Sequence, residues 1–380
     1  MPLYDLALLG QPLNSEIALV ETSLARVVAP FGLHLNAEIG WQPKAHQFDP
    51  APKTSAAAAF FGRPGAASGA VAGLLKRGVP LIPIAQSSKS ISGDLPESLK
   101  PFNCLTFYGD GPERIATALL ECIGLLPRQR RVFISYRRDE ARDAALQLFN
   151  SLSSKIYDVF LDTHGILPAE DFQGVLWHKL CDSDVLVMLD TPTYFDSRWT
   201  SAEFGRALSK GISILRVEWP GVIASRRTAT TSSLMLNDTD VETRTGRLTE
   251  DALQRISDRV EVVRAESHAV RSINLFSSLK RAVECVGGKV TGTGIHNAVF
   301  IQLADGTEIV AYPTLGVPTS VTLNEAVDRA SGKDAAIIYD HIGLQEQWLR
   351  HLTWLGENIS SAKWVRASEA AWEFGGWGTP

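Results

Sequence analysis

Trp199 and Glu203 stand four residues apart in Ser197-Arg-Trp-Thr-Ser-Ala-Glu203. On a helix that spacing puts both on one face, about one turn apart. An aromatic surface beside a carboxylate suits a planar, cation-bearing ring next to a sugar. The ring stacks on the indole and the carboxylate hydrogen-bonds the sugar hydroxyls. Further candidates gather where apolar runs end: Phe133, Ser135, Tyr136, Arg137 and Arg138 at one run, Asp162, His164 and Ile166 at a second, and Asp190-Thr191 at a third. Paired arginines at such an end suit a pyrophosphate. Each residue also has an ordinary structural reading. Glu203 fits a solvated helix carboxylate, Trp199 packing against a sheet edge, Ser135 and Tyr136 a strand terminus, and Asp162 a loop brace. Gly292-Thr-Gly294 is not read as a phosphate loop, because strands rather than a helix follow it.

The elements around these residues alternate in a regular way. Val132–Ser135, Asp158–Leu161, Val185–Leu189 and Ile212–Val217 read as strands, and Val185-Leu-Val-Met-Leu189 is apolar throughout, as a central parallel strand should be. Between them Glu140–Leu152, Asp171–Leu180 and Thr200–Leu208 carry apolar residues at helical spacing. In a parallel α/β sheet ligands bind outside the carboxyl ends of the strands, where the candidate residues lie. Residues 222–247, polar and rich in Ser and Thr, read as a long surface loop. A helical stretch follows over about 249–284, opened by Thr249-Glu-Asp and closed by Gly287-Gly288.

The segment before this one repeats the grammar. Leu6–Leu9, Ala56–Phe61, Val79–Ile84 and Cys104–Tyr108 are short apolar runs separated by helical patterns, and Leu126–Arg130 reads as a linker. Leu74–Pro83 echoes Ala207–Arg216: each ends a helix, turns at a glycine and enters an apolar strand. Counting back from those glycines places Ala70 where the later segment has Glu203, so a degenerate copy would lack that carboxylate. The last segment starts with a hairpin around Asp305-Gly306, continues with helices near 322–330 and 343–356, and concentrates five tryptophans in its final 33 residues. The expected organisation is therefore a Rossmann-like α/β domain over 1–127, a parallel-sheet α/β domain over 130–286 and a small α+β domain over 287–380.

Composition narrows the function. The chain has 380 residues, 45% of them hydrophobic and 21% charged, with a net charge of −5. This excludes a disordered chain or a disulfide-stapled miniprotein and gives no general attraction to nucleic acid or anionic lipid. Cys104, Cys122, Cys181 and Cys285 form no CxxC or Cys/His cluster, so no metal is expected and the usage fits a reducing cytoplasm. The start, MPLYDLALLG, lacks a basic stretch followed by a long apolar one, so no signal peptide is expected, and no apolar run reaches the roughly 18 residues of a membrane span.

Val132-Phe-Ile-Ser-Tyr136, Phe160-Leu-Asp162, Asp171-Phe172, Ser183-Asp-Val-Leu-Val187 and Ser197-Arg-Trp199 with Glu203-Phe204 resemble, in order and spacing, the successive motifs of a Toll/interleukin-1 receptor (TIR) domain. The resemblance covers about 130–220, extending to 285 if the long helix completes the fold. It implies a flavodoxin-like sheet and two classes of function: cleavage of the nicotinamide–ribose bond of NAD+, or a noncatalytic scaffold. Glu203 matches the catalytic glutamate of the enzymatic branch and Trp199 the aromatic position before it. Phe133, Ser135, Tyr136, Arg137, Arg138, Asp162, His164 and Ile166 then line the substrate pocket. The expected activity is an NAD+ nucleosidase giving nicotinamide and ADP-ribose or a cyclic isomer, in bacterial antiphage defence. It would use no cofactor besides NAD+ as substrate, self-associate through TIR domains, and take a small-molecule or protein trigger at its flanking domains. Ala169 stands where the family usually has a glycine before the second helix, which puts the shape of that loop in question. The alternatives are a scaffold, or an enzyme similar to nucleoside 2-deoxyribosyltransferases, which would release a base from nucleosides and leave NAD+ untouched.

Overall fold

Ala56-Ala-Ala-Ala-Phe-Phe61 and Val185-Leu-Val-Met-Leu189 are buried along their whole length, as strands covered on both faces must be. The computed structural model describes residues 1–100, 102–161, 172–223, 225–242 and 244–377. They divide into two compact units, one of 1–126, 269–341 and 349–380, the other of 127–268 and 342–348.

The first segment runs β1 (Tyr4–Gly10), α1 (Asn14–Val28), β2 (Ile39–Gln42), β3 (Ser55–Phe61), α2 (Val71–Arg77), β4 (Leu81–Ala85), α3 (Ile91–Asp94), β5 (Leu105–Thr106) and α4 (Phe107–Cys122). Its strands form a parallel sheet in the order β2-β1-β3-β4-β5. The second segment runs β6 (Arg131–Ser135), α5 (Arg138–Ser154), β7 (Asp158–Leu161), α6 (Phe172–Cys181), β8 (Val185–Asp190), α7 (Arg198–Lys210), β9 (Ser213–Glu218), β10 (Ser232–Met235) and α8 (Glu250–Cys285). Its sheet is also parallel, in the order β7-β6-β8-β9-β10. Both sheets thus have the flavodoxin-like order 2-1-3-4-5, and α2 and α7 both end on a left-handed glycine, Gly78 and Gly211. The position counted back to Ala70 is the N-cap of α2, outside the helix proper.

Residues 222–247 are not one loop: Ser232–Met235 pairs with β9 as the fifth strand. Its half-exposed Ser-Ser-Leu-Met sequence is that of a sheet edge, which carries little apolar signal. The linker read at Leu126–Arg130 holds the boundary between the two units, after Leu126, although its last residue, Arg130, is wholly buried.

The third segment adds β11 (Lys289–Thr293), β12 (Val299–Gln302), β13 (Glu308–Thr314), α9 (Ser320–Ala330), β14 (Asp334–Tyr339), α10 (Glu346–Asn358), β15 (Ala362–Arg366) and α11 (Ala370–Gly375). A hairpin-built antiparallel half (β11-β12-β13) continues into a parallel half (β13-β14-β15). Along β13, Ile309 and Ala311 face a core made with Leu275, Leu279 and Val283 of α8, whereas Val310 and Tyr312 face the other side. That other side shares one apolar core with Ala58 and Phe60 of β3 and with Phe102. The first and third segments, expected as separate domains, therefore cluster as one unit, because neither sheet buries that face alone. The 36-residue α8 carries the chain between units, its residues from Ala269 on belonging to the unit built from the first and third segments.

Gly292 has its role inside this shared core. A Cβ there would come within 2.0 Å of the Phe102 ring, whose centroid lies 4.9 Å from that of Phe300 at a tilt of 33°. Gly292→Ala is expected to cost about 1–3 kcal/mol through overpacking, read as a lower melting temperature of the full chain.

A second tie in the same unit is polar. His296 Nδ1 lies 2.7 Å from Glu121 Oε2 and its Nε2 lies 3.2 Å from Arg114 Nη2. Burial alone would raise the Glu121 carboxyl, but the His296 hydrogen bond and the charges of His296, Arg329 and Arg114 bring it below its ordinary value. A depressed folded-state pKa stabilises above the unfolded value of about 4.3, and that contribution is lost as pH falls through the folded value. The melting-temperature gap between wild type and Glu121→Gln should be full at pH 7 and close toward pH 3. A gap unchanged across that range would contradict the assignment.

Candidate functional site

Strand order reverses between β6 and β8, the switch point at which α/β sheets bind ligands. Ser135 is the last residue of β6, in register with Met188 of β8, which ends two residues later at Asp190, followed by Thr191. After β8 the chain makes a turn at 194–196 and enters α7, where the Ser197 side chain caps the helix by accepting from Trp199 N at 3.3 Å and Thr200 N at 3.5 Å. The cap sets the helical register, and Glu203 falls in the second turn.

Glu203 is only 5% exposed. Ser135 Oγ donates a short hydrogen bond to its Oε2, and Tyr194 OH lies 2.6 Å from the same Oγ. Trp199, one turn earlier, is 39% exposed, and the Arg198 guanidinium sits 4.3 Å from its ring centroid. The helix thus presents an aromatic surface toward solvent and buries its carboxylate at the strand end. Phe204 continues the buried face, edge-on to Phe195.

The other candidates divide. Tyr136 is buried next to Ser135. Arg137 donates to the Thr193 carbonyl at 2.7 Å and approaches Asp196 at 4.0 Å, so it holds the turn before α7. Arg138 is exposed at the start of α5. Phe133 is fully buried, its ring 5.1 Å from Phe160 in the core beneath α6 and α7, and so does not line an open site. Its apolar side chain in mid-strand makes it a core residue. Asp162, His164, Ile166, Ala169 and Asp171 lie outside the described residues.

Two neighbours escaped the sequence reading. Tyr194 is wholly buried, and burial, together with the Glu203 carboxylate, pushes its phenol well above the ordinary range. Arg216, inside the apolar run of β9, pairs with Asp190 at 2.5 Å and Glu218 at 3.1 Å. Burial raises the Asp190 carboxyl although Arg216 pulls it down. Neither carries a signal of its own: a tyrosine in a turn and an arginine in a strand are both commonly surface residues.

The parallel sheet and its flavodoxin-like strand order agree with the comparison of the sequence with known families. Residues 132–248 match the TIR domain family. None of the curated proteins matches the chain. The TIR domain spans β6 to β10 and holds Ser135, Tyr194, Trp199 and Glu203 together. Among the described residues no group of three His, Cys, Asp or Glu side chains could hold a metal ion, and no helix is long and apolar enough to cross a membrane.

Proposed function

We propose that the TIR domain cleaves the nicotinamide–ribose bond of NAD+, in bacterial antiphage defence. The observation that carries this reading is Glu203: a carboxylate buried at the switch point, one helical turn beneath a partly exposed tryptophan. Nicotinamide leaves as a neutral base, taking the electron pair of the C1′–N bond and so losing its pyridinium charge. The ribosyl centre becomes oxocarbenium-like, and Glu203, hydrogen-bonded to the ribose hydroxyls, stabilises that positive charge as it grows. Water then adds to C1′ and releases its proton to solvent, giving ADP-ribose. An adenine nitrogen attacking instead gives a cyclic isomer. Trp199 supplies the face for the planar ring.

Self-association through TIR domains, with the flanking segments taking a trigger, completes the proposal. Trp199 and Leu208 leave apolar surface exposed on α7, at 39% and 45%, which also supports a second reading as a noncatalytic scaffold. NAD+ consumption by the purified protein beside Glu203→Gln separates the two, with nicotinamide and ADP-ribose resolved by chromatography. Turnover lost in the variant supports the enzyme, and turnover unchanged by it rejects the site.

A further inference from the structure

We infer that Tyr194 is a positioning residue for Glu203, acting through Ser135. The inference deepens the proposed function and takes its catalytic meaning from it. A serine hydroxyl has one hydrogen, and Ser135 gives it to Glu203 Oε2. The Tyr194 hydroxyl, 2.6 Å from Ser135 Oγ, must then be the donor in that pair. The three groups form a one-way relay, Tyr194 to Ser135 to Glu203, in which each donor is polarised by the next acceptor. All are buried, with exposures of 0%, 1% and 5% in that order.

Each member comes from a different element, so the relay joins the end of β6, the turn after β8 and the second turn of α7. The turn is itself held: Tyr194 N donates to the Thr191 carbonyl at 3.0 Å, Thr200 Oγ1 donates to the Tyr194 carbonyl, and Arg137 donates to the Thr193 carbonyl at 2.7 Å. A carboxylate so held keeps its plane fixed before substrate arrives. It then meets developing positive charge without having to reorganise. The raised phenol remains a donor across the pH range in which an NAD+-cleaving enzyme would be assayed.

The test is steady-state kinetics on NAD+ for Tyr194→Phe and Ser135→Ala across pH 4.5–8, with thermal melts. We expect kcat to fall about 10-fold for Tyr194→Phe and about 100-fold for Ser135→Ala, with KM changed by less than about 3-fold. Removing donors to an ionised carboxylate makes it easier to protonate, so the acid limb of kcat should move up by about one pH unit. A Tyr194→Phe enzyme with wild-type kcat and acid limb would overturn the inference. So would a loss of kcat that follows a lowered melting temperature while the limb stays put, since that is a structural role only. A double-mutant cycle of Tyr194→Phe with Ser135→Ala, read by thermal stability, needs no turnover. Coupling there supports the relay and strict additivity overturns it, even if wild type proves inert toward NAD+ and the proposed function itself fails.

Discussion

Glu203→Gln is expected to lower NAD+ cleavage by about 1000-fold while the protein stays folded. The size follows from what the side chain does. An amide of the same shape can still hydrogen-bond a ribose hydroxyl, so binding should survive better than turnover. It cannot offer negative charge to the ribosyl centre, and charge that develops only in the transition state is the part of an interaction that sets kcat. The variant also exchanges a buried carboxylate for an amide that accepts the same Ser135 hydrogen bond, so its melting temperature should stay near that of wild type. The assay should span protein concentration, with and without a crowding agent, because an enzyme completed by self-association is silent when dilute. Activity that rises more steeply than linearly with concentration and vanishes in Glu203→Gln would support both the site and the assembly. Turnover that survives the substitution would reject Glu203 as its source.

The sheets were legible because their central strands are buried on both faces. Val132–Ser135, Val185–Leu189 and Ala56–Phe61 announce themselves as apolar runs, and the glycines at 78 and 211 punctuate the helices before them. Edge strands did not. Ile39–Gln42 is short, and Ser232–Met235 alternates half-buried and exposed residues within a polar stretch. The grouping of the first and third segments was hidden for a different reason: their shared core joins Ala58 and Phe60 to Val310 and Ile337, and no local pattern reports a contact so distant in sequence.

The site was legible in its helix and not in its support. The spacing of Trp199 and Glu203 fixed a shared face, and the strand-end position of Ser135 marked it as a neighbour. Tyr194 has no periodicity to betray it, since its place depends on a turn whose geometry is set by Arg137, Thr200 and Thr191 together. Phe133 was drawn into the candidate pocket by proximity to Ser135 in sequence. It does share that residue's face, two positions away on β6, but it lies deeper, in the core with Phe160 and Leu176, whereas Tyr136, next to Ser135, packs into the core on the other face.

Glu261→Ala is expected to destabilise the unit containing the TIR domain by about 3–5 kcal/mol, because it strands buried charge. Glu261 on α8 accepts from Arg130 Nη2 at 2.6 Å and from the Tyr157 hydroxyl, and pairs with Arg264 at 3.2 Å. Arg264 in turn approaches Asp184, whose carboxylate accepts from Arg131 N, and Arg131 pairs with Asp182 at 2.6 Å. Three guanidinium groups thus share three carboxylates, and both Arg130 and Arg264 are fully buried. Removing the Glu261 carboxylate takes the shared partner from two fully buried guanidinium groups, which explains why the loss should far exceed that of a surface pair. Arg26–Glu113, with side chains 63% and 71% exposed, is the control, and its disruption should move stability by less than about 0.5 kcal/mol. Thermal melts should show a fall on the order of 10 °C for Glu261→Ala, less for Glu261→Gln, which keeps one acceptor, and almost none for Glu113→Gln. The network gathers around Arg131, at the opposite end of β6 from Ser135. At temperatures well below its melting point Glu261→Gln should therefore keep wild-type kcat on NAD+. A Glu261→Gln variant that is fully stable yet inactive would mean that the two ends of the sheet are coupled, and that α8 belongs to the catalytic apparatus as well as to the scaffold.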